Sequence, residues 1–116
     1  MKLIIKYIYI FLLFFIKYNL EKNPNAADNY CLRANIYLEM HRYKDAMNDC
    51  KNAFKKDRKC VKANLIYARC NIHRGNLEKA KENIKKGLEL SRENNYLSDN
   101  IPLFENEVML IYSIIY

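Results

Sequence analysis

The side chains with chemical potential in this sequence are four cysteines, two histidines and an excess of lysine and arginine. Cys70 and His73 stand three positions apart, a spacing that on a helix lets both reach one metal ion. No second pair at a matching spacing completes a tetrahedral set, so ordinary packing is the expected role of both and no metal site is predicted. Cys31, Cys50, Cys60 and Cys70 contain no C-x-x-C pair and fall inside helical patterns. That usage argues for reduced, packed thiols in a cytosol-like compartment rather than a disulfide framework. Catalysis would need a base, a nucleophile or oxyanion donors converging on a pocket, and the chain offers no glycine-rich phosphate loop and no recognisable acid–base pair. His41 and His73 belong to different helical patterns. The residues therefore predict no enzyme, no catalytic residue and no cofactor.

The formal net charge is +7. Lys51, Lys55, Lys56, Arg58, Lys59 and Lys62 cluster around one turn, which suits a helix C-terminus and would attract acidic partners or phosphates, although a solvated surface is the plainer reading. Nucleic-acid binding would require aromatic residues interleaved with those charges on one face, whereas the tyrosines follow the apolar stripes.

These residues must be positioned by helices. A chain of 116 residues has room for one ordinary domain, and with 51% hydrophobic residues, two Gly and two Pro it has apolar material for a core and little for turns. An all-α fold follows. Residues 3–16 are apolar on every side, with Lys2, Lys6 and Lys17 as the only charges nearby, and the segment would measure about 21 Å as a helix, or about 27 Å if extended to Leu20. Against ~30 Å of bilayer hydrocarbon it reads as a marginal membrane span or a signal-like segment without a small-x-small cleavage site.

From position 25 the apolar pattern changes to a period of 3.6, with Tyr30, Ala34, Tyr37 and Leu38 forming one stripe and Ala46, Met47, Cys50, Ala53 and Phe54 a second. The design recurs 34 residues later: Ala34, Ala46, Cys50, Ala53 and Phe54 align with Ala68, Ala80, Ile84, Gly87 and Leu88. Helices are expected at about 27–40, 44–56, 61–74 and 77–90, with Gly75 and Asn76 supplying a left-handed turn and His41 and Arg42 serving the same role less comfortably. Ser98, Asp99 and Asn100 read as capping residues before a last helix containing Pro102 in its first turn.

A lag of 34 in helix–turn–helix units with small residues at the crossings resembles the tetratricopeptide repeat. Tyr30, Ala34, Tyr37, Tyr43, Ala46 and Ala53 carry the resemblance in repeat one, with Asp57 where the family places Asp-Pro and Arg58 in place of the proline. Repeat two keeps Ala68, Leu77, Ala80 and Leu88, puts Gly87 at an alanine position, and has Asn64 and Asn71 where aromatics are usual. The resemblance implies an α–α superhelix of about two hairpins, at 27–60 and 61–94, within a repeat domain over 21–93. The apolar run and the capping residues place an N-terminal helix over 1–20 and a C-terminal helix over 94–116 on either side of it. Pro24 lies 34 positions before Arg58, so residues 1–20 would stand where a preceding second helix belongs. Two repeats fall below the usual minimum of about three, so flanking segments, a partner or further chain should cover both ends.

By the same resemblance, the first helix of each pair lines a concave protein- or peptide-binding face. It would carry Asp28, Cys31, Asn35, Leu38 and Glu39, then Lys62, Leu65, Arg69, Ile72 and His73. Asn35, Leu38, Lys62, Leu65, Arg69 and His73 are the candidate partner contacts. Co-chaperone repeats that clamp the carboxylate tail of heat-shock chaperones are similar around Tyr30 and Lys62, but Leu32 replaces their Asn and Ile66 their Arg, and an apolar side chain cannot donate to a carboxylate. The leading expectation is a cytoplasmic scaffold or adaptor. The alternatives are a membrane-anchored receptor or assembly factor held by residues 3–20, a chaperone-tail binder, and a piece of a longer repeat array.

Overall fold

The computed structural model describes residues 2–93, which form five helices: α1 (Lys2–Lys22), α2 (Ala27–Glu39), α3 (Tyr43–Lys56), α4 (Val61–His73) and α5 (Leu77–Glu93). There is no strand among the described residues. The expected C-terminal helix over 94–116 lies outside them. The four repeat helices begin and end within about a residue of expectation, except that α5 continues from about 90 to Glu93.

Each hairpin is antiparallel because its connection is too short to do anything but reverse the chain. Ala34 of α2 and Ala46 and Ala53 of α3 have no solvent exposure, and neither have Ala68 of α4 and Ala80 of α5. A side chain larger than a methyl group at such a crossing would force the axes apart, at a cost of about 1–3 kcal/mol. Gly87, the counterpart of Ala53, is buried, yet a Cβ there would lie 3.5 Å from Asn64 Cβ and 3.9 Å from Leu65 Cδ2. Those are ordinary contacts, so alanine fits and the glycine is not a steric necessity.

The two hairpin turns repeat atom for atom. The backbone N–H of His41 donates to Leu38 O and that of Arg42 to Tyr37 O, while 34 residues on Gly75 donates to Ile72 O and Asn76 to Asn71 O. Both turns need a left-handed residue: Gly75 has φ 81° and His41 has φ 61°. The links between units also match, since Ala26 N–H donates to Asn23 O at 3.3 Å and Cys60 N–H to Asp57 O at 3.2 Å. The Asp57 carboxylate tightens the second link by accepting the Lys59 N–H at 3.0 Å. By this register α1 occupies the place of a second helix ahead of α2, ending at Lys22 as α3 ends at Lys56.

The core forms two connected clusters. One lies between α2, α3 and α4 and gathers all four cysteines with Ala34, Leu38 and Ile66; the other lies between α4 and α5 around Val61, Leu65 and Ile84. Helix α4 packs on α2, α3 and α5, which explains why eight of its thirteen residues are buried. Asn64 and Asn71, the odd residues of repeat two, lie in this interior with 1% exposure. Asn64 Nδ2 donates to Cys60 O at 3.2 Å and Asn71 Nδ2 to Asn83 Oδ1 at 2.8 Å, while Asn71 Oδ1 finds no partner among the described residues. Helix α1 buries Ile16 and Leu20 as it packs on α2, half-buries Tyr9 and Leu13 on the same stripe, and leaves most of its other apolar side chains open, with Phe11 70% and Phe14 69% exposed.

A left-handed conformation costs an ordinary L-residue about 1 kcal/mol and glycine almost nothing. His41→Gly is therefore expected to raise stability by about 1 kcal/mol, less the His41 Nδ1 contact with the Tyr43 hydroxyl at 2.7 Å, and Gly75→Ala to lower it by about 1 kcal/mol despite open space around the added methyl. Thermal unfolding followed by circular dichroism checks both signs.

Candidate functional site

The rotation of α2 about its axis decides which of its residues face outward; its buried stripe of Cys31, Ala34 and Leu38 faces the core, and one ion pair clasps it to α3 in that orientation. Arg33 on α2 makes a two-pronged contact with Asp49 on α3, Nε to Oδ2 at 2.8 Å and Nη2 to Oδ1 at 2.7 Å. The carboxylate retains 2% exposure and the guanidinium 22%. The hydrogen bond to Asp49 pushes the Arg33 pKa upward against the opposing effect of burial, so the guanidinium stays charged. The Tyr30 ring lies 5.8 Å from the guanidinium carbon and adds a cation–π contact. Sequence reading missed this pair, although a signal was present: Asp49 is a charge set inside the buried stripe of Ala46, Cys50 and Ala53.

With α2 held in that orientation, Asp28, Leu32, Asn35 and Glu39 form one exposed row at four-, three- and four-residue spacing. Their counterparts 34 residues later on α4 are Lys62, Ile66, Arg69 and His73. Lys62 and His73 are exposed, Arg69 is half-buried, and Ile66 is drawn into the core. The rows meet at their N-terminal ends, where Lys62 Nζ stands 3.9 Å from Asp28 Oδ1, both side chains largely in solvent. At the other end the His73 ring stacks on Tyr43 of α3, with centroids 4.9 Å apart and planes 11° from parallel, and Tyr43 in turn contacts His41. The surface is acidic along α2 and basic along α4, with Asn35 and Arg69 between the two ends.

Two expected contacts belong elsewhere. Leu38 and Leu65 are 6% and 3% exposed, one in each core cluster, and serve the packing of α2 on α3 and of α4 on α5 instead of an open groove. Cys31, also placed on that face by the resemblance, is buried in the first cluster. In exchange Leu32 is 53% exposed in the middle of the α2 row, an apolar contact that counting polar residues overlooks. The signature residues Tyr30, Ala34, Tyr37, Ala46, Ala53, Ala68, Ala80 and Gly87 all lie in or against the helix contacts.

Cys70 and His73, considered as metal ligands, point to different places: the thiol is fully buried, its pKa pushed up to about 11 by desolvation, while the imidazole lies on the surface against Tyr43. Among the described residues no three His, Cys, Asp or Glu gather where a metal could bind. The basic cluster at the α3–α4 link is exposed throughout, from Lys51 to Lys62.

A family model for the tetratricopeptide repeat matches residues 37–98. The chain is also similar to human tetratricopeptide repeat protein 12, with 35% identity over 72 residues. That alignment covers 62% of this chain and 10% of the relative, so the chain spans about a tenth of the longer protein's length.

Because Asp49 is buried and Arg33 is its one ion-pair partner among the described residues, Arg33→Ala strands a charge in the core and is expected to cost about 3 kcal/mol. Denaturant titration measures this, and a loss under 1 kcal/mol would mean that the pair does not hold α2 in place.

Proposed function

We propose, on the premise that the chain belongs to the tetratricopeptide repeat family, that it is a protein-binding adaptor which holds a partner segment across the outward rows of α2 and α4. Repeats of this family generally mediate protein–protein interaction and serve as scaffolds rather than enzymes. The observation that carries the reading is the pairing of the rows: positions one repeat apart present Asp28 with Lys62, Asn35 with Arg69 and Glu39 with His73 on neighbouring helices. A ligand chain lying across them meets polar contacts at both ends and the exposed Leu32 between, an arrangement suited to a peptide with an apolar anchor flanked by charges. The Asp28–Lys62 contact is long and exposed, so a ligand displaces it at little cost.

A chaperone-tail ligand is a weaker fit. Lys62 remains available to a carboxylate, but Leu32 offers no donor and Ile66 is 5% exposed. Lys62→Glu combined with Arg69→Glu is expected to reduce capture of the physiological partner by the full chain at least tenfold while leaving helical circular dichroism unchanged. Undiminished capture would reject this face.

A second reading is favoured by α1. It is a continuous helix of 21 residues, about 31 Å long, with apolar side chains exposed around most of its surface instead of along one stripe, which suits lipid better than a single helix partner. Ile16 and Leu20 tie its last turns to α2, so the repeats would sit directly at the membrane surface. Membrane association resistant to alkaline carbonate, abolished by deleting residues 3–15, is the expected outcome; recovery of the intact chain in the soluble fraction contradicts the anchor.

A further inference from the structure

Four thiols are buried behind the proposed partner-binding rows, and two of them nearly touch. Cys31 Sγ on α2 lies 3.5 Å from Cys60 Sγ, the N-cap of α4, joining residues 29 apart in sequence. A disulfide needs its sulfurs at about 2.05 Å, so closure asks for an approach of roughly 1.5 Å between side chains of two helices already in contact. Cys50 and Cys70 are buried in the same cluster without such a partner contact.

The two sulfurs are chemically unequal. Cys60 is drawn below the ordinary thiol range, first because the Cys31 thiol donates a hydrogen bond to it, and then because the Ala63 backbone N–H in the first turn of α4 supports the thiolate, both acting against desolvation. Cys31, which supplies that proton and lies in the core, is pushed far above the ordinary thiol range. Cys60 also sits in the short link between α3 and α4, where the exposed Lys56, Arg58, Lys59 and Lys62 outnumber the nearby carboxylates Asp57 and Asp28, which by themselves act to raise the Cys60 pKa. This is the field an anionic small-molecule disulfide would be drawn to.

We propose that Cys31 and Cys60 form a dithiol oxidation site that reacts with low-molecular-weight disulfides of the glutathione type, closing a covalent strap between the first helices of the two repeats. The Cys60 thiolate attacks one sulfur of glutathione disulfide, breaking its S–S bond and releasing one glutathione thiolate that takes up a proton. Cys31 then loses its proton and attacks the Cys60 sulfur of the mixed disulfide, expelling the second glutathione. Two protein thiols are oxidised to one disulfide and one glutathione disulfide is reduced to two thiols. The strap would fix α4 against α2 and so freeze the spacing of the two rows, whichever partner occupies them.

The test incubates the full chain, reduced, with glutathione redox buffers near neutral pH, followed by acid quench, alkylation and mass spectrometry of intact protein and peptides. The expected product is a single species lighter by two hydrogens, with a 31–60 linked peptide, Cys50 and Cys70 alkylated only after unfolding, and a Tm raised by roughly 10 °C. Cys31→Ala should trap one glutathione on Cys60, Cys60→Ala should leave Cys31 unmodified, and Cys50→Ala should still form the bond, which separates the site from general thiol exposure. Four reduced thiols in a folded chain, a bond to Cys50 or Cys70, or a crosslink accompanied by loss of helical signal would each overturn the proposal.

Discussion

The close approach of helix pairs through side chains no larger than a methyl group is the constraint on which this molecule is built. Ala34, Ala46 and Ala53 in the first hairpin and Ala68 and Ala80 in the second have no solvent exposure, and the axes meet where they lie. Close packing at those points leaves gaps beside them that larger residues fill from the flanks: Tyr37, Phe54 and Tyr67 are half-buried against the first cluster, and Leu88 against the second. Neither hairpin buries its apolar area alone, so α4, which packs on α2, α3 and α5, works as the shared wall of the whole assembly.

From that constraint comes the surface. Once alanines set the distance between α2 and α3, the buried stripe of α2 turns inward with the Arg33–Asp49 pair clasped beside it, and the outward row of α2 becomes a geometric consequence instead of a separate design. The same register places Lys62 beside Asp28 at one end and His73 against Tyr43 at the other. Polar atoms in the interior follow suit: at the positions equivalent to Tyr37 and Asp49, repeat two has Asn71 and Asn83, hydrogen-bonded to each other at 2.8 Å, a neutral substitute for an aromatic wall and a charged clasp. The exchange leaves Asn71 Oδ1 without a partner among the described residues.

Helix α1 belongs to this architecture and departs from it. Its turn into α2 uses the same backbone hydrogen bond as the turn from α3 into α4, and its last turns pack as a second helix should. Its remaining length carries bulky apolar side chains on all sides, with none of the small residues that mark the other crossings. One end is therefore built to meet a repeat, and the other is suited to an apolar environment.

The amino-acid order by itself determined the number and limits of the repeat helices, the 34-residue register and the small residues at the crossings, because these depend on interactions within one or two helical turns and on a period that can be counted. His41 and Gly75 were legible as turn residues for the same local reason. What the tertiary structure decided was everything at the border of an apolar stripe or across a long sequence gap. Leu38, Leu65 and Ile66 are buried because a neighbouring helix widens the covered arc beyond what an amphipathic pattern marks, whereas no helix among the described residues covers Leu32. The Arg33–Asp49 clasp and the Cys31–Cys60 contact join residues 16 and 29 positions apart, and no periodicity encodes them. They exist because rigid helices, once packed at alanine distance, bring particular side chains of different helices to within a few ångströms.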